Sequence, residues 1–172
     1  MLCWLYSVGH SRLRLGHTRC ALSLALLFAC RHPEQVSCLV SIAAHAYLEE
    51  KMRPGMEGLL RSFYTNPAFR PGLERIHGEK TGQVFEMWCR AWMRPEIAGW
   101  SILGQLAAVH CPALVVQGEL DEHASVQHAH AIAAAIRGAQ CWLQAGADHM
   151  FPQRQPQVFN PPVLDFLKKH AD

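Results

Sequence analysis

Three kinds of side chain in this sequence have the order that nucleophilic catalysis uses. A hydroxyl stands near the start, at Ser11 or Thr18, a carboxylate at Asp121 and an imidazole at His149. A hydroxyl attacks poorly until a base takes its proton, and a histidine serves as that base when a carboxylate fixes its tautomer. Ala113 to Val116 is an unbroken apolar run between Pro112 and Gly118. Such a run predicts a strand buried on both faces, as in a parallel sheet. Asp121 follows that strand, where doubly wound sheets gather their functional groups. An Ala-rich helix is predicted over Val126 to Ile136, then a short strand at Cys141-Trp142-Leu143, then the loop Ala145-Gly146-Ala147-Asp148-His149. An acid closes one strand and a histidine sits in the loop after the next. Taken singly, Asp121 would be a helix cap and His149 a surface residue; the ordered pair is what points to chemistry.

Gly118-Glu119-Leu120-Asp121 and Asp148-His149-Met150-Phe151-Pro152, with Pro156 and Val158 beyond, resemble the acid and histidine loops of α/β-hydrolase-fold esterases. Val158 to His170 resembles that fold's last helix. The resemblance implies an α/β chain with part of the α/β-hydrolase fold, about four parallel strands with flanking helices and a helical lid. It also implies a serine hydrolase of carboxylic esters, with Ser11 as nucleophile, His149 as base and Asp121 orienting the imidazole. The implied substrate is a small ester-like molecule, with neither an organic cofactor nor a metal.

The nucleophile end departs from the family pattern. Leu2 to Val8 reads as a buried strand running into Gly9-His10-Ser11. In the Gly-x-Ser-x-Gly elbow a tight turn demands small residues two positions either side of the serine. Gly9 satisfies the near side, and Leu13 occupies the far one. Gly16-His17-Thr18-Arg19-Cys20 repeats the pattern seven residues on, before a helix predicted from Leu22 to His32. From Thr18 to Pro33 the interval is about one residue longer than the family's, and from Ser11 about eight longer. A β-branched threonine is hindered and suits a strained turn poorly. Arg12 to Cys20 therefore reads as an interruption laid across the motif, with both hydroxyls as candidates.

Val36 to Ala43 is predicted as the next buried strand, joined through Ala44-His45-Ala46-Tyr47 to a segment of different character. From Glu49 to Val109, short helical stretches are punctuated by Pro54-Gly55, Asn66-Pro67, Pro71-Gly72, Gly78 and Pro95. Phe85, Trp88, Cys89 and Trp92 fall on one helical face, either the segment's own packing face or the wall of an apolar pocket. The chain thus divides into 1–48 with the nucleophile strand, 49–109 as the lid, and 110–172 with the acid and histidine loops.

Composition sets the outer bounds. With 172 residues and half of them apolar, the chain has material for one domain with a core. A formal charge of +2, with no basic block carrying aromatics, argues against a nucleic-acid partner. The longest apolar stretch, Leu24 to Cys30, falls well short of the ~20 residues a membrane span needs. Seven scattered cysteines without a C-x-x-C pair suit a reducing, cytoplasmic setting. His128 and His130, two apart on a helix, cannot converge on one metal. The resemblance begins at the fold's fifth strand, so the sequence reads as truncated at its N-terminal side. That leaves a strand edge open to self-association and an oxyanion hole short of one donor. The alternative to an impaired esterase is a non-catalytic remnant that binds a partner.

Overall fold

Two buried strands carry the sheet. In the computed structural model, which describes residues 4–6, 13–17 and 22–170, β3 (Val36–Ile42) and β4 (Ala113–Gly118) run parallel, with Leu39 opposite Ala113 and Ile42 opposite Val116. All six residues of β4 are buried, and so are six of the seven in β3. That matches their unbroken apolar sequence, since both faces are covered. Among the described residues the sheet has five strands in the order β1-β2-β3-β4-β5. β2 (Leu13–His17), β3, β4 and β5 (Gln140–Gln144) are parallel, and β1 (Trp4–Tyr6) pairs antiparallel with β2.

The first strands differ from the sequence expectation. The parallel neighbour of β3 is Leu13–His17, inside the stretch that reads as an interruption, and the strand expected over Leu2 to Val8 is the short antiparallel β1. Leu13-Arg14-Leu15-Gly16-His17 alternates apolar and polar positions, a period-two pattern that suits a strand near the sheet edge. The arginine within it is what disguised it.

Helix α1 (Leu22–Arg31) follows β2, α5 (Val126–Ala135) follows β4, and α6 (Phe151–Arg154) and α7 (Pro156–Lys169) follow β5. A 3-10 helix at Leu103–Ala108 packs against both α1 and α5. Leu26, Leu106 and Ile132, one from each of these elements, are completely buried. On β5, Trp142 stacks on Phe159 of α7 and meets Phe151 edge-on.

Residues 48–100 form a separate compact unit. It holds α2 (Met52–Thr65), α3 (Phe69–His77) and α4 (Thr81–Trp92). Its core is aromatic: Phe63 of α2 stacks on Phe85 of α4 with centroids 4.7 Å apart, Phe69 meets Phe85 edge-on, and Trp92 meets Trp100. The Phe85–Trp88–Cys89–Trp92 stripe is thus engaged in the unit's own packing, with Cys89 fully buried. Residues 101–109, grouped by sequence with the helical stretch, pack in the sheet unit. No helix among the described residues is long and apolar enough to cross a membrane.

Leu106→Ala should lower stability by about 3 kcal/mol, the usual cost of a buried leucine cavity. Urea unfolding followed by circular dichroism should show an earlier midpoint with an unchanged slope.

Candidate active site

β4 and β5 end side by side, Gly118 opposite Gln144, and the loops that leave them are joined by backbone hydrogen bonds. The Glu119 N–H donates to the Gln144 carbonyl at 3.0 Å and the Leu120 N–H to the Ala147 carbonyl at 2.8 Å. Gly118 is required by this approach. A Cβ there would collide with the Ala147 carbonyl and lie 2.6 Å from that of Asp148. Gly146 turns the second loop with φ +66°, a conformation glycine adopts without steric cost.

The two loops bring Asp121 and His149 together. His149 Nδ1 lies 2.9 Å from Asp121 Oδ2, and the Asp121 side chain is wholly buried. Asp121 Oδ1 accepts two further bonds, from the N–H groups of His123 at 2.8 Å and Ala124 at 3.1 Å. An ionised carboxylate only accepts, so His149 carries its proton on Nδ1 and leaves Nε2 with a free lone pair in the neutral ring. Burial alone would push the Asp121 carboxyl up. The hydrogen bond and charge of His149, with the two backbone donors, outweigh burial and hold it below the usual carboxylate range.

The acid loop is fixed from below and beside. Gln117, a buried amide one residue before the end of β4, donates to the carbonyls of Ala124 at 2.9 Å and Ser125 at 3.1 Å. Beside it runs the strap Ala43–Tyr47. Ala43 adopts φ +54°, uncommon for a residue with a Cβ. The Ala46 N–H donates to Nδ1 of the buried His128 at 3.2 Å, and His45 Nε2 donates to the His123 carbonyl at 3.3 Å. Accepting at Nδ1 makes His128 the neutral Nε2–H tautomer. Tyr47 packs on the His128 ring with centroids 4.2 Å apart. His128 is therefore a structural core histidine, while His130 is exposed on the same helix. No group of three His, Cys, Asp or Glu side chains among the described residues has metal-binding geometry.

Asp148, beside the histidine, has a local role: its Oδ1 accepts the Met150 N–H at 2.9 Å and its Oδ2 pairs with Arg154. Ser11 and Thr18, the two candidate hydroxyls, lie outside the described residues. Sequence reasoning passed over Gln117 and Glu122. A polar residue at the end of an apolar run was the available signal for the first. Glu122 accepts the His149 N–H at 3.2 Å, a contact that no sequence pattern announces.

A parallel sheet with an acid and a histidine on adjacent strand ends is the plan of the α/β hydrolases. Comparison with known proteins agrees: residues 77–171 match the hydrolase family described as TAP-like protein, and the chain belongs to that family. The human serine hydrolase BPHL is 27% identical over 150 residues, which cover 84% of this chain and 50% of that protein. The chain thus spans about half the length of that curated relative. Among solved structures, NosK from Streptomyces actuosus has a TM-score of 0.76 at 22% identity, covering 94% of this chain and 70% of that one. A thermophilic esterase from Thermogutta terrifontis has a TM-score of 0.63 at 20% identity, covering 93% and 66%.

Two outcomes test this geometry. Gly118→Ala should force the histidine loop away from the acid loop. The His149 Nδ1–H proton resonance should then be lost and the unfolding midpoint lowered. The second outcome concerns pH. A carboxyl held below its ordinary value of 3.8 contributes stability that is fully present above that value. The contribution is lost as pH falls through the lower native value. Acid titration should show wild-type stability falling in that window, and Asp121→Asn should be less stable at neutral pH with a flatter acid limb.

Proposed function

We propose that this chain is a hydrolase of carboxylic esters of small molecules, working through a hydroxyl nucleophile with His149 and Asp121. The observation that carries the reading is the buried Asp121–His149 hydrogen bond at the carboxyl edge of a parallel sheet. The family and the human serine hydrolase relative support it. In the proposed reaction the hydroxyl oxygen attacks the acyl carbon as Nε2 of His149 takes its proton. His149 then returns the proton to the departing alcohol, leaving an acyl-enzyme. A water molecule, deprotonated by the same nitrogen, attacks the acyl-enzyme, and His149 protonates the released hydroxyl oxygen. Asp121 holds the tautomer throughout. The helical unit, residues 48–100, is the proposed lid.

Two hydroxyls compete for the nucleophile's place. Ser11 is the family's residue type and follows Gly9. Supporting Thr18 is the chain's course: β2 ends at His17, at the edge where Asp121 and His149 stand, and α1 begins at Leu22. A nucleophile elbow lies between a strand and the helix that follows it. We place the nucleophile at Thr18 in this chain, with Ser11 as the alternative. A β-branched, secondary hydroxyl makes the proposed activity weak.

The test compares wild type with Ser11→Ala, Thr18→Ala and His149→Ala on a short-chain nitrophenyl ester, with fluorophosphonate labelling to locate the reactive oxygen. We expect slow hydrolysis above buffer that falls to background in Thr18→Ala and His149→Ala, and label on Thr18. Label on Ser11, with loss of activity in Ser11→Ala instead, would move the nucleophile and keep the mechanism. Equal background rates in all four proteins would replace the enzyme with a non-catalytic, partner-binding relative.

A further inference from the structure

His149 is gripped at a second point. Its backbone N–H donates to Glu122 Oε2 at 3.2 Å, while its ring donates to Asp121. Consecutive carboxylates of the acid loop thus hold the backbone and the ring of one histidine. We infer that Glu122 is a positioning residue for His149, fixing the backbone from which the imidazole is presented. The inference deepens the proposed function and rests on its reading of His149 as the base.

A single contact at Nδ1 leaves the ring free to swing about the Nδ1–Oδ2 direction. A second fixed point on the same residue restricts where Nε2 can lie. The need is sharpened by the composition of the loop. Ala145 and Gly146 are exposed and Ala147, though buried, offers only a methyl group, so the loop has little side-chain packing before His149. Its position depends on ties to the acid loop: Leu120 N–H to the Ala147 carbonyl at 2.8 Å, Gly146 N–H to Glu119 Oε2 at 3.4 Å, and Glu122. Of these, only the Glu122 bond falls on His149 itself. The carboxylate has support of its own, because His123 Nε2 lies 3.6 Å from Glu122 Oε1. The His123 ring also meets the His149 ring edge-on, with centroids 4.7 Å apart. Displacing a catalytic group by about 1 Å is enough to cost ~100-fold in rate, so the position of this backbone matters to the chemistry.

Glu122 is half exposed, so its variants should fold. Glu122→Ala removes both charge and acceptor, whereas Glu122→Gln removes the charge and keeps a carbonyl acceptor. Amide hydrogen exchange and the His149 Nδ1–H proton resonance, read by NMR on the full chain, report position without requiring activity. In Glu122→Ala, exchange at the His149 amide should rise about fivefold, as expected for losing about 1 kcal/mol of hydrogen bonding. The Nδ1–H resonance should shift and broaden, with the protein still folded and its urea midpoint lowered no further than the lost bond accounts for. Glu122→Gln should restore both signals toward wild type. Unchanged exchange and ring resonance in Glu122→Ala would overturn the inference, and so would a Gln variant that behaves like the Ala variant. Asp121→Asn serves as the separate control: with Oδ1 held by the His123 and Ala124 N–H groups, its amide nitrogen replaces Oδ2 and cannot accept the Nδ1–H. If it removes the Nδ1–H resonance while Glu122→Ala changes nothing, only the second grip is lost. If Asp121→Asn leaves that resonance intact, the reading of the acid–histidine pair fails instead.

Discussion

The Asp121 carboxylate is the constraint on which the site depends. A buried carboxylate is costly to desolvate unless its lone pairs are used, and here three N–H groups use them. Two come from the backbone of its own turn, at His123 and Ala124, and one from the ring of His149. The first two shape the acid loop, and the third locks that loop to its neighbour. Removing the charge would weaken all three bonds together. The lowered ionisation of Asp121 expresses the same balance, since its partners outweigh its burial. Everything nearby serves to deliver those donors. Gly118 lets the loops touch, Gln117 ties down Ala124 and Ser125, and β4 and β5 set their ends at one level.

The strap from Ala43 to Tyr47 extends the same construction to β3. Ala43 takes a strained backbone while its N–H remains in the ladder, donating to the Val116 carbonyl at 2.8 Å. The turn this makes carries His45 and Ala46 over the start of α5, where one bonds to the His123 carbonyl and the other to the His128 ring. Strain of this kind persists only when its surroundings over-determine it. Here they do so through hydrogen bonds made to the same stretch that holds the acid. A protonated His128 could not accept the Ala46 N–H, so the strap depends on a neutral core imidazole. The histidine-rich appearance of this region in the sequence therefore reflects hydrogen-bond tailoring of backbone groups.

What the sequence revealed follows from which forces leave a local trace. β3, β4 and β5 were legible because their apolar runs are short and bounded by proline and glycine. α1, α5 and α7 were legible from composition and from their place between strands. The acid and histidine showed because each follows a strand whose end the sequence marks. β2 was missed because Arg14 breaks its apolar run and no proline or glycine marks its start. Gln117 and Glu122 act through backbone groups distant in sequence. A hydrogen bond to a main-chain N–H imposes no residue type on its partner, and such contacts are invisible until the loops are folded together.

The acid–histidine half of the site and its nucleophile half are built by different means. Asp121 and His149 are separated by one strand–helix–strand passage, and the bonds made directly to the pair lie between Gly118 and His149, with Gln117 and the Ala43–Tyr47 strap supporting the acid loop from outside. The end of β2 reaches the same edge through β3 and the parallel register of Leu13–His17 with Val36–Ser41, and a nucleophile supplied from beyond His17, as proposed, would depend on that register. The first arrangement requires β4 and β5 to pair; the second requires the other strands to be placed as well. Sequence changes between Gly9 and Cys20 leave the first arrangement's hydrogen bonds untouched, because none of those bonds involves that stretch. The pair at 2.9 Å is therefore maintained by the folding energetics of its own loops, independently of whether a hydroxyl stands ready to use it.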